Sequence, residues 1–252
     1  MYQKSLEINI LVVILCLFVA GCNSQRAWRY SIDSYPTDRK PLLSKRVVVS
    51  MFRDLRPNKN ENFLILELIP LVPFGWADYS TPEATRTPKL LSSPDWQFKP
   101  MEDLAKATAD EINASGLFKE AVFASSASEG DLVLHGEIRS TRYKARGISY
   151  GLFGYAPVGW VLGLPQGTIY NELEVAFTLV DPLTGESLWN KSYKMAYHKS
   201  PYWIYNIPPD FNYDNLFKAM MRDVVKDLES ALLESSVTVS YTHLTLPTTP
   251  YV

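Results

Sequence analysis

The chain has 252 residues, with 25 basic against 27 acidic side chains and a formal net charge of −2. A balance so close to neutral gives no electrostatic case for nucleic acid or for strong binding to anionic lipid. Two cysteines exclude a disulfide framework, and a single domain of this size buries about 70% of its unfolded surface without one.

The first element is an apolar run, Ile8 to Ala20, preceded by Lys4 and Glu7. At about 13 residues it is too short for roughly 30 Å of hydrocarbon and has the length of a signal-peptide core. It closes on Val19-Ala20-Gly21-Cys22, which resembles the lipobox of bacterial lipoproteins. The resemblance implies a signal peptide over 1–21, cleavage before Cys22, and lipid on the Cys22 thiol. Cysteine usage is consistent with it. Cys16 leaves with the signal, and one unpaired thiol in an oxidising compartment is a liability unless it is modified. One acyl chain binds a membrane marginally, whereas two or more hold stably; lipoproteins of this kind carry three. By the sorting rule of enteric bacteria, Asn23 in place of Asp implies the outer membrane, with the domain facing the periplasm. No cofactor is expected beyond the covalent lipid on Cys22.

Residues 22–45 read as a lipidated tether. Asn23, Ser24, Gln25, Ser31, Ser34, Pro36, Thr37 and Pro41 break every periodicity, and a flexible chain of that length reaches roughly 25–30 Å. A single domain is expected over 46–238. Arg46 to Phe52, nearly continuous in β-branched residues, predicts a strand covered on both faces, and Arg53 to Asn58 a polar turn. Phe63 to Trp76 carries only Glu67 as a charge, and Pro70 and Pro73 forbid a regular helix or central strand. This stretch reads as an apolar insertion.

A helix is predicted from Pro100 to Ser115-Gly116, with Met101, Leu104, Ala105, Thr108 and Ile112 on one face. Lys119 to Ala124 is a short strand. Asp131 to Lys144, Thr168 to Val180 and Leu188 to Tyr197 alternate as strands with one wet face. Asp181 to Glu186 is the turn between the last two. A final helix from about Asp214 carries Leu216, Phe217, Met220, Val224, Leu228 and Leu232 as its stripe. Val239 to Thr248, VSYTHLTLPT, resembles the translation of a transposase-end adapter used in sequencing libraries, so 239–252 reads as a non-native tail.

KRVVVSMFRDLRPN, INASGLF, GDLVLHGEI and DPLTGESLW resemble the α+β domain shared by the curli-channel lipoprotein, the penicillin-binding-protein activators and the N-terminal domain of TolB. The expected fold is α+β: a mixed, largely antiparallel sheet of about five strands with two helices packed on one face.

The chemical inventory is sparse. There is no G-x-S-x-G, S-x-x-K, H-E-x-x-H or paired-cysteine spacing, and no metal site is expected. His135 beside Glu137 reads as a surface histidine. Glu172 and Glu174 share a strand face, with Arg139 and Arg142 on the neighbouring strand placed to neutralise them. The stretch with the best claim to function is Ile148 to Asn171, which has no charged residue. Its aromatics Tyr150, Phe153, Tyr155 and Trp160, with Phe74 and Trp76 from the earlier insertion, are the expected partner-binding or membrane patch; a loop folded back onto the domain stays open as the other reading of 148–169. The expected function is non-enzymatic: an outer-membrane lipoprotein that binds an envelope protein as an accessory or assembly factor. The alternative is a subunit of a homo-oligomeric secretion or channel assembly with a membrane-inserting hairpin at 148–169.

Overall fold

A computed structural model describes residues 26–36, 40–64, 73–84, 96–124, 130–148, 150, 156–202 and 212–242. Among these residues the fold is mixed α+β, with a nine-stranded sheet, a separate two-stranded ribbon and three α-helices. The strands are β1 (Arg26–Ala27), β2 (Leu43–Ser50), β3 (Arg53–Asp54), β4 (Asn60–Leu64), β5 (Pro73–Tyr79), β6 (Trp96–Gln97), β7 (Phe118–Ala124), β8 (Leu132–Ser140), β9 (Tyr143–Ile148), β10 (Gly167–Val180) and β11 (Ser187–Lys199). The helices are α1 (Pro100–Ser115), α2 (Ala156–Val161) and α3 (Tyr213–Thr242).

The 14-residue strand β10 organises the sheet. Along one edge it pairs with β11 from Ile169 to Val180. Its other edge is shared: Glu174 to Val180 pair with β8, and Gly167 to Asn171 pair with β9. The sheet therefore forks. One wing continues from β8 to β2 and β7 in parallel, and the other from β9 to β5 and β4 in antiparallel register. The expectation of about five strands is corrected to nine. The difference comes mainly from Phe63 to Trp76. Its two ends pair with each other, and the second also with β9; Pro73 is tolerated because it stands at a strand's first residue, where a missing amide costs no ladder bond. Arg53–Asp54, expected as turn, adds a short parallel pairing to β8.

The first wing is the core. Val47 and Val49, Leu132 and Leu134, and Leu173, Val175, Phe177 and Leu179 face α1 and α3. α1 begins with Pro100, whose lost amide is one of the helix-end orphans in any case. Asp103 accepts from the Lys99 amide at 2.7 Å, satisfying another. Gly136 is required by packing: a Cβ there would meet the Phe52 ring at 2.4 Å, and that ring lies edge-on to Phe177. Val48, also buried, points away from this cluster beside Val133, its register partner, so β2 is covered on both faces as expected.

The wings meet at Thr141, which is buried between β8 and β9. Its hydroxyl accepts from Arg56 Nη1 at 2.5 Å and donates to the Ser80 carbonyl at 3.0 Å, and its carbonyl accepts from the Tyr213 hydroxyl at 2.6 Å. Arg56 is itself held by Asp54 and Glu83. The Thr141 hydroxyl and carbonyl are thus both satisfied, as a buried joint requires.

Residues 28–36, expected as flexible tether, lie on the domain instead. Trp28, Tyr30 and Tyr35 pack against the core cluster, with Trp28 stacked on Phe98 at 4.8 Å. Cys22 and 243–252 lie outside the described residues. The α3 backbone continues to Thr242, into the stretch expected to be a non-native tail.

Candidate interaction surfaces

The second wing turns one face to the core and one away. Ala77 and Tyr79 of β5, with Tyr143 and Ala145 of β9, join the core side. On the other side Phe63 and Trp76 are cross-strand partners, 51% and 38% exposed, with ring centroids 6.4 Å apart. No helix among the described residues covers them. Charges of both signs follow along the same face. Asp78 takes a two-point contact from Arg142 at 2.8 and 2.6 Å, and Lys144 stands 3.6 Å away. The Arg142 hydrogen bond holds the Asp78 carboxyl below its ordinary range.

Glu172 and Glu174 are not neutralised by Arg139 and Arg142 as expected. Lys194 of β11 reaches both, at 3.0 and 3.5 Å, while Arg142 goes to Asp78 and Arg139 turns to Glu137 on its own strand. Burial raises the Glu172 pKa, but hydrogen bonds from Tyr170, Ser140 and Lys194 outweigh it and hold the group low. His135 lies on the exposed side of β8, 2.9 Å from the Ser50 hydroxyl. It stands opposite Thr178, six residues along β10 from Glu172, or roughly 20 Å at strand rise. His135 and Glu172 are therefore not neighbours. Among the described residues no group of His, Cys, Asp and Glu forms a metal site.

The segment after β9 makes a second surface. Trp160 is half-buried, and its indole donates to the Ile148 carbonyl at 3.2 Å. Tyr150, at φ 58, donates its hydroxyl to the Pro165 carbonyl at 2.7 Å. Both act as braces that tie the β9–β10 hairpin connection to the end of the sheet. Phe153 and Tyr155 lie outside the described residues, and Phe74 lies in β5 with its side chain likewise outside them.

The exposed residues here are ones that sequence reasoning did not single out: Val158, Val161 and Leu162, with Leu164 after them. The first three share one side of α2 by their i, i+3, i+4 spacing, and Leu162 is 79% exposed. The helix closes through Gly163 at φ +93, with the Leu164 amide bonded to the Gly159 carbonyl and the Gly163 amide to that of Trp160. Those two bonds are the Schellman pattern, which needs a left-handed residue. The turn thus holds an aliphatic knob outward at the tip of an uncharged segment.

A third feature also escaped sequence reading. Glu111 is wholly buried on α1, and its carboxylate accepts from Tyr30 at 2.8 Å, Tyr35 at 2.7 Å and the Asp33 amide at 3.3 Å. Asp33 in turn is paired with Arg222 and Lys218 of α3. Those two cations, Arg222 first, hold the Asp33 carboxyl down at about 2. Burial, reinforced by the bond to Glu111, pushes both tyrosines well above their ordinary value of 10.0, so they stay protonated donors. The signal was present in the α1 pattern: Glu111 follows Leu104 by seven and Thr108 by three, on the buried stripe, where a carboxylate needs donors from elsewhere.

No protein family matches the chain, and no curated protein matches it. Solved structures do. A Xanthomonas campestris protein of the DUF330 family is 12% identical, with 83% of this chain and 98% of that one covered at a TM-score of 0.47. Lipoprotein GNA1162 of Neisseria meningitidis is 12% identical over 73% of this chain and 98% of that one, at 0.33. PelC of Paraburkholderia phytofirmans, solved as a dodecamer, is 13% identical over 74% and 88%, at 0.33. At these identities and scores the likenesses carry no functional argument.

Proposed function

We propose that this chain is a lipoprotein of the bacterial outer membrane, anchored through lipid on Cys22, whose periplasmic domain serves as a non-enzymatic accessory factor by binding an envelope protein. The observation that carries the anchoring is the tetrapeptide Val19-Ala20-Gly21-Cys22 closing an apolar run too short to span. No helix among the described residues is long and apolar enough to cross a membrane. The protein-binding role is supported by the second wing. An exposed aromatic pair, Phe63 and Trp76, flanked by Asp78, Arg142 and Lys144, has the make-up of a protein interface: an aromatic centre with a charged rim.

The test is site-specific photocrosslinking in intact cells from a probe at Trp76, with a probe at Leu183 on the polar turn as the reference. A discrete crosslinked envelope protein from position 76, missing from position 183, supports the role. Equal or no crosslinking at both positions contradicts it.

The exposed aliphatics at 158–164 favour a second reading, in which 148–169 inserts into the membrane as part of a homo-oligomer. Light scattering of the lipidated protein in detergent separates the two: a ring of many copies belongs only to the second.

A further inference from the structure

From the clasp around Glu111 and the position of the aliphatic knob, we infer that the domain is mounted rigidly at the membrane surface and dips Val158, Val161, Leu162 and Leu164 into the leaflet that holds the Cys22 lipid. This inference rests on the lipid anchor proposed above and adds the geometry of attachment.

The chain length sets the first constraint. Flexible tether over 22–45 would let the domain roam, but the segment is pinned from Trp28 onward by the Phe98 ring, Glu111, Arg222 and Lys218. Between Cys22 and Trp28 a fully extended chain spans at most roughly 21 Å. The point where the chain leaves the domain is therefore held at the lipid surface.

The direction of the clasped segment sets the second. Phe52 donates its amide to the Met101 carbonyl, so α1 begins at the level where β2 ends. Tyr213 reaches Thr141, and Asp227 reaches Lys191 and Tyr193, so α3 begins at the joint and runs back toward the Asp181–Glu186 turn. The clasped segment enters beside Phe98, at the starts of both helices, and proceeds through Tyr30 to Tyr35 and Arg222 toward that turn. Its upstream, lipid-bearing end thus emerges on the side of the joint where β9 leads out and β10 begins. The knob lies on that same side, about 20 Å further out along β9, tied to Ile148 by Trp160 and to Pro201 through Gln166.

The chemistry of the knob settles its occupant as lipid. It is aliphatic, and the whole stretch from Ile148 to Asn171 is uncharged. A protein partner would be met by a mixed aromatic and charged surface, as on the Phe63–Trp76 face, whereas an acyl boundary asks only for apolar area. Side chains seated about 5–10 Å deep need no charge on the protein to hold them there.

The experiment uses the lipidated protein, purified in detergent and reconstituted in vesicles of phosphatidylethanolamine with a minority of phosphatidylglycerol. A single fluorophore is attached at Leu162→Cys or, for reference, at Leu183→Cys on the opposite turn, which is 93% exposed. Quenching by lipids carrying a shallow nitroxide is read for each, alone and with Tyr30→Phe/Tyr35→Phe, which unfastens the clasp with little change of shape. The mass of the N-terminal peptide is measured on every sample. Quenching at 162 at least about threefold that at 183, falling toward the 183 value when the clasp is opened, is the expected result. No quenching at 162 with lipid present on Cys22 overturns the leaflet contact and returns the knob to a protein partner. Equal quenching at 162 and 183, or full quenching that survives opening of the clasp, overturns the rigid mount. An N-terminal peptide without lipid overturns the anchor reading itself, and the mass separates that failure from the others.

Discussion

The two wings share β10 but are held together by different means. The first wing has a dry interior: Val47, Val49, Leu104, Ile112, Phe177 and Phe217 have no accessible surface. The second has aromatic rings with polar tips on its core side and an exposed Phe63–Trp76 pair on the other. It joins the first through the β9–β10 ladder, the hydrogen bonds at Thr141 and the rings of Tyr79 and Tyr143. The contrast places global stability in the first wing and leaves the second as the region of lower local stability, from which binding elements are drawn.

The largest effect is expected where the contrast is sharpest. Phe177→Ala removes a buried ring lying edge-on to Phe52 and Tyr193 and should cost about 3–5 kcal/mol of unfolding free energy in urea. A loss below about 1 kcal/mol would mean the first wing is not the core. Glu111→Ala should come next, at about 3 kcal/mol, because it strips the acceptor from two half-buried tyrosine hydroxyls and a backbone amide. Limited proteolysis should then cut between 28 and 36.

Thr141→Val should cost about 1–3 kcal/mol and loosen the second wing alone. Amide exchange should quicken in β5 and β9 and stay unchanged in β2. Uniform quickening would show that the wings unfold as one unit. Trp76→Ala, on an already exposed ring, should cost less than about 1 kcal/mol while reducing crosslinking to the envelope partner.

The smallest effect is a pH dependence of the clasp. The Asp33 pKa is depressed from 3.8 to about 2, so its contribution is present above 3.8 and fades as pH falls toward 2. The tyrosine pKa values are raised, so theirs is present below 10.0 and fades as pH climbs beyond it. Proteolysis of 28–36 should therefore accelerate at both extremes and stay flat between them. Acceleration near neutral pH would contradict the assigned network.

Sequence pattern made the first wing legible because each of its elements has a single period. α1 was bounded by Pro100 and Ser115, the β10–β11 hairpin by strict alternation about Asp181–Glu186, and α3 by its stripe. The second wing was not legible. Its strands come from Phe63 to Trp76, where two prolines argue against strand, and their pairing is decided by β9, some seventy residues away. Trp160 and Tyr150 were singled out as anchors by residue type, yet their polar tips are spent on Ile148 and Pro165. The exposed positions around them, Val158, Val161 and Leu162, had only the spacing of an ordinary helix face. The clasp was hidden by composition: Ser31, Ser34 and Pro36 mark loop, and the tyrosines between them gain meaning only from a carboxylate on another element.

Lipid on Cys22 is what holds the protein at the membrane in the function proposed above. Wild-type and Cys22→Ser chains should be expressed in a bacterial host with labelled palmitate and their membranes separated by density. The account predicts label on the wild-type protein in the outer-membrane fraction, and an unlabelled Cys22→Ser protein released from membranes. Label retained by Cys22→Ser, or a wild-type protein that carries none, would contradict it.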